Sequence, residues 1–116
     1  MLIRFKKSME KIAMGLLSFM PNEKDVKKLQ QTIKAYEENE HWQLYLWKEA
    51  EDVLGAIGVY IDHENNQVVV QHISVNPSYR DMGIGRKMIE AIRSIYQEKY
   101  SIMANDLTKP FLSKCD

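Results

Sequence analysis

Apolar residues change their spacing repeatedly along this chain, and each change marks a boundary between kinds of element. Leu2 to Phe5 suits a short strand. Met9, Ile12, Ala13, Leu16, Leu17 and Met20 then recur at helical spacing until Pro21. From Asp25 to Glu38 the same logic repeats: Val26, Leu29, Ile33 and Tyr36 fall on one face, and Lys and Gln occupy the other. The period is lost at Trp42. Trp42 to Trp47, Leu54 to Ile61 and Val68 to Val75 are aromatic or β-branched runs that predict strands. Asp62 to Gln67, centred on Asn65 and Asn66, has the residues of a tight turn and joins the last two runs as a hairpin. Helical spacing returns in Ile84, Met88, Ile89, Ile92, Ile95 and Tyr96, followed by a short strand at Ser101 to Ala104 and a last helix from Leu107 to Lys114. The predicted order is β-α-α-β-β-β-α-β-α.

Composition narrows the classes of function. At 116 residues the chain suits one domain spanning residues 1–116, given roughly 100–200 residues per domain. Sixteen basic residues balance sixteen acidic ones, so no global field recruits nucleic acid or an anionic membrane. Apolar runs such as Ile12 to Met14 fall far short of the ~20 residues that span a bilayer. Arg4, Lys6, Lys7, Glu10 and Lys11 interrupt any secretory core, so a cytoplasmic location is expected. The single cysteine, Cys115, has no second thiol for an internal disulfide and reads as a small apolar packing residue. No metal site is expected.

The chemistry is concentrated between His72 and Arg86, where a strand turns into an amphipathic helix. Gly83 and Gly85 lack Cβ atoms, so the backbone can turn tightly and bring several N–H groups toward one anion. The helix beginning there adds unpaired donors and the positive end of its dipole. Arg86 and Lys87 occupy its first turn, where a cation is ordinarily unfavourable by ~0.3–1 kcal/mol and a bound phosphate removes the penalty. A Rossmann site fails, because Met88 stands where a third glycine belongs and the preceding strands read as hairpin strands. A Walker loop fails for want of Gly-Lys-Ser/Thr.

Ile73-x-Val75-x-Pro77-x-x-Arg80-x-x-Gly83-x-Gly85 resembles the central motif of the GNAT acetyltransferases. Gly55 and Asn105-x-x-Thr108-x-x-Phe111 add to the resemblance, which covers nearly the whole element order. More narrowly, the chain is similar to the small acetyltransferase-like proteins of bacterial riboflavin-biosynthesis operons. The resemblance implies an α/β (α+β) chain with the GNAT fold, a mixed and mostly antiparallel sheet flanked by helices, without the last two family strands. It implies that acetyl-CoA or coenzyme A binds along Ile73, Ser74 and Val75 by β-augmentation, with the pyrophosphate held by Arg80, Asp81, Met82, Gly83, Ile84, Gly85 and Arg86, and Asn105 touching the pantetheine. The implied activity is acetyl transfer to a primary amine of a small molecule or peptide, with a strand N–H stabilising the oxyanion. The alternative is a non-catalytic acyl-CoA binding or protein-interaction module on the same scaffold.

A general base is harder to find. His72 lies beside the cofactor strand, yet alternation sends it to the face opposite Ile73 unless a bulge intervenes. It is the catalytic candidate, against a hydrogen-bonded packing histidine. His41 and His63 read as solvated residues near a strand start and in a turn. Many family members carry a proton-donating tyrosine in Phe-Tyr-x-Lys, where this chain reads Phe111-Leu112-Ser113-Lys114. With the closing strands missing, an open sheet edge is expected, and a homodimer is one way to cover it.

Overall fold

The computed structural model describes residues 1–20 and 25–115, with side chains to residue 112 at the C-terminal end. The strands are β1 (Leu2–Arg4), β2 (Trp42–Glu49), β3 (Asp52–Asp62), β4 (Gln67–Val75) and β5 (Ser101–Ala104). The helices are α1 (Glu10–Leu17), α2 (Val26–Glu38), α3 (Ile84–Tyr96) and α4 (Lys109–Cys115). The expected order of elements is therefore present. The strands form one sheet in sequence order, antiparallel from β1 to β4 and parallel between β4 and β5. That parallel pair requires a crossover, and α3 supplies it.

The helices cover both faces. Ala13, Leu16, Leu29, Ile33 and Tyr36 of α1 and α2 pack on Leu44, Leu46 and Ala56. On the other face Ile84, Met88, Ile89 and Ile92 of α3, with Leu112 of α4, pack on Ile57, Val59, Val68, Val70, Ile73 and Val75. The apolar stripes are less completely buried than helical spacing suggested: Ile12, Val26 and Ile95 are exposed. The turn between β3 and β4 forms as expected. The Asp62 carboxylate accepts from the amide of Asn65 at 3.2 Å and from its side chain at 2.8 Å, while Asn66 takes a left-handed φ of 52°.

Helix boundaries depart from expectation at two ends. The first helix stops at Leu17 and turns through Met20; Pro21, its expected stop, lies outside the described residues. The last begins at Lys109, because Asn105 Oδ1 accepts from the amides of Leu107 and Thr108 at 3.0 Å and turns that stretch into a cap. Pro110 then sits in the first helical turn, where its missing N–H costs no bond. The side chain of Cys115 lies outside the described set.

One irregularity shapes the site. Gly58 pairs with His72, but the next residue, Val59, pairs with Val70, so Gln71 is the extra residue of a bulge. Val68 and Val70 consequently share a face with Ile73 and Val75, while His72 and Ser74 point to the α1–α2 side.

Candidate active site

Beyond β4 the chain is held by its own polar groups. The Asn76 amide donates to Leu54 O at 2.8 Å, and Asn76 Oδ1 accepts from the Ser78 amide at 3.0 Å, starting the short turn Pro77–Tyr79. Asp81 and Gly83 take positive φ values of 66° and 77°, which bends the backbone into a concave loop ahead of α3. Among the described residues the amides of Asp81, Met82, Gly83, Ile84, Gly85 and Arg86 have no acceptor, and helical bonding begins only with Lys87 N to Gly83 O at 3.0 Å. Gly83 is exposed and a Cβ there would meet nothing within 4 Å, so its conformation, and not crowding, demands glycine. Gly85 differs from expectation. A Cβ there would overlap the Phe111 ring, so its small size serves the packing of α4 on α3.

The cationic residues around this loop divide. Arg80 and Arg86 are exposed. Lys87 lies 3.5 Å from Glu49, whose carboxylate is held below its usual range first by the Trp47 indole N–H and further by Lys87 itself. The α3 start thus draws one carboxylate toward it from β2.

Below the loop, β4 and β5 part. Their pairing ends at Val70 with Ala104, so Ile73, Ser74 and Val75 pair only with β3 and keep one edge open. Two side chains brace the point of separation. Fully buried Thr108 donates from Oγ1 to Val70 O at 2.7 Å, and Asn105 Nδ2 donates to Gln71 O at 3.3 Å. Asn105 therefore already caps α4 and ties it to β4, a structural duty that its predicted role did not include. Beside it the side-chain nitrogen Nε2 of Gln71 is enclosed and has no acceptor, a condition that costs about 1–3 kcal/mol.

His72 does lie opposite Ile73, because the bulge precedes it. It is buried beneath α2 with Nδ1 2.6 Å from the Tyr36 hydroxyl. Gly58 makes this contact possible: a Cβ there would overlap that hydroxyl. Burial pushes the His72 pKa down to about 4, with the charge of Lys28 adding to the effect, so the ring is neutral at pH 7. Next to it Ser74 Oγ donates to Leu16 O at 2.5 Å. The sequence offered Tyr36 only as an apolar-face residue, since nothing local links positions 36 and 72.

Elsewhere, His41 and His63 are not isolated. Their rings lie 5.2 Å apart, and His63 Nδ1 is 2.8 Å from the Tyr100 hydroxyl, at the end of the sheet away from the loop. Leu112 is buried among the residues under α3 and can donate no proton.

Comparison with known proteins agrees with this geometry. The model of the acetyltransferase (GNAT) family matches residues 9–115. An uncharacterized N-acetyltransferase encoded in the lysA 3' region of Bacillus methanolicus is 59% identical over all of this chain and 95% of its own length. Among solved structures, the aminoglycoside N-acetyltransferase AAC(6')-Iy in complex with CoA superposes with a TM-score of 0.76 at 15% identity, covering 98% of this chain and 81% of that one. A possible acetyltransferase from Clostridium difficile gives 0.74 at 14% identity, with 98% and 86% covered. At those identities the structures speak for the fold, while the family model and the Bacillus relative speak for descent. The chain belongs to the acetyltransferase (GNAT) family, N-acetyltransferases whose acetyl donor is acetyl-CoA.

Proposed function

We propose that residues 1–116 form one enzyme domain that transfers acetyl from acetyl-CoA to a primary amine of a small molecule or peptide in the cytoplasm. The observation that carries this reading is the run of unpartnered amides from Asp81 to Arg86, set at the end of a strand with an open edge. These residues fit the coenzyme. The amides of Asp81, Met82, Gly83, Ile84, Gly85 and Arg86 suit a pyrophosphate, with the exposed Arg80 and Arg86 alongside. The free edge of Ile73, Ser74 and Val75 suits the amide-bearing pantetheine arm, and Asn105 stands at its far end. Bound there, acetyl-CoA supplies an acetyl group activated as a thioester.

What remains for the chain is to stabilise charge and move one proton. A β4 N–H at the open edge is suited to the oxyanion that forms when the amine attacks. His72 is our candidate to receive the amine's proton. With a pKa near 4 it is too weak to deprotonate a free ammonium ion, so it accepts only from a nitrogen made acidic by C–N bond formation. Leu112 offers the departing sulfur no proton, and a thiol with a pKa of ~8.5 leaves acceptably as thiolate.

The solved relatives named for aminoglycoside acetylation make small-molecule amines the first acceptors to test. The likeness to riboflavin-operon proteins adds amine-bearing intermediates of that pathway. The outer edge of β5, which pairs with no strand among the described residues, suits a second copy of this chain. The test is release of free thiol from acetyl-CoA across an amine library. Turnover with at least one amine supports the reading; coenzyme binding without any turnover favours a binding module.

A further inference from the structure

We infer that Gln71 is an acyl-recognition residue, whose side-chain N–H donates to the acyl carbonyl oxygen of bound acetyl-CoA. This rests on the coenzyme reading above. Among the described residues, Gln71 Nε2 is the enclosed side-chain polar atom that finds no partner. Its position explains why the fold keeps it so. Gln71 is the extra residue of the β4 bulge and the first residue past the last β4–β5 pair. Bulges re-aim a side chain at the cost of a ladder bond, and this one is fixed on both sides. Thr108 Oγ1 holds the carbonyl of Val70, and Asn105 Nδ2 holds that of Gln71 itself. The backbone that carries the side chain is therefore held in place.

Gln71 is only half-buried, and a turn of its side chain brings the amide to an acceptor that arrives from outside the chain where β4 and β5 part. From Gln71 to Val75 the strand spans roughly 13 Å at ~3.3 Å per residue, a length of the same order as an extended pantetheine arm. A pyrophosphate at the Asp81–Arg86 loop places the arm's far end, the thioester, at the bulge. The thioester carbonyl is the acceptor there that free coenzyme A lacks. Gln71 then separates acylated from free coenzyme, a discrimination by the cost of an unpaired polar group.

The experiment is calorimetric titration with acetyl-CoA, coenzyme A and S-ethyl-CoA, a thioether of the same length without the carbonyl oxygen. The wild-type protein should prefer acetyl-CoA to S-ethyl-CoA by about 5–10-fold. Gln71→Met, which keeps the length and removes the donor, should lose that preference while its coenzyme A affinity stays within about twofold. Its ligand-free melting temperature should hold or rise, because an unsatisfied buried donor has been replaced by hydrocarbon, and its stabilisation by acetyl-CoA should shrink. Equal affinity of the wild type for acetyl-CoA and S-ethyl-CoA overturns the inference without any variant. So does equal weakening of acetyl-CoA and coenzyme A in Gln71→Met. Failure of the wild type to bind any of the three overturns the coenzyme reading itself, and this inference with it.

Discussion

Gly83 and His72 show how single residues set the terms of the site. Gly83 sits at φ 77° in open space, so a substitution there acts through conformation alone. A β-branched residue in that region is strained by roughly 1–2 kcal/mol, which the loop relieves by leaving the geometry that aligns its amides. Gly83→Val should keep the far-ultraviolet circular dichroism of the wild type and weaken acetyl-CoA binding about 5–30-fold, the factor to which that strain corresponds; unchanged affinity in a folded variant refutes the pyrophosphate assignment. His72 carries a pH signature. Its folded pKa of about 4 lies below the ordinary 6.5, so below pH 6.5 the unfolded chain binds a proton that the folded one refuses. Stability thus falls as pH drops from 6.5 toward 4. Denaturant titrations should find this contribution about 2 kcal/mol smaller at pH 5 than at pH 7. His72→Gln, neutral throughout, should remove that slope, and an identical pH dependence in the variant contradicts the buried neutral ring.

At the scale of elements, the junction of β4, β5 and α4 is where a strand pair parts. Thr108 is buried with its hydroxyl between Val70 O and Asn105, so it anchors the start of α4 where the strands separate. Thr108→Val preserves shape and orphans the Val70 carbonyl; equilibrium unfolding should report a loss of about 1–3 kcal/mol. A loss within 0.5 kcal/mol, the range of an ordinary surface change, contradicts that role. The strands themselves were legible, because Trp42 to Trp47, Leu54 to Ile61 and Val68 to Val75 are β-branched or aromatic runs. The bulge was not. Val68, Val69 and Val70 suit either face of a strand, so no break in alternation marks Gln71 as the extra residue. The Tyr36–His72 bond is not legible in the sequence for a different reason: it joins α2 to β4 through tertiary packing, and a tyrosine in an apolar stripe does not reveal which polar group its hydroxyl meets. Gly85 has a second reason to lack a Cβ that the loop motif does not reveal: the ring of Phe111, 26 residues on, packs against it.

For the molecule as a whole, the two apolar layers fix the sheet between α1–α2 and α3–α4, and the proposed cofactor site lies where the second layer opens at the end of β4. Net charge is zero, so in the proposed reading attraction for a phosphate-bearing ligand comes from local groups: the Asp81–Arg86 amides, Arg80 and Arg86. No described helix is long and apolar enough to cross a membrane. The family-wide element order was readable from the changes of hydrophobic period, whereas the acceptor was not, because no motif in the chain encodes it. The central claim is that the strand-to-helix loop holds the coenzyme. Titration of the purified protein with acetyl-CoA and with coenzyme A, followed by heat, tests it most directly. Saturable one-to-one binding of either in the micromolar range, weakened about 5–30-fold in Gly83→Val, is the predicted result. A folded wild-type protein that binds neither contradicts the account.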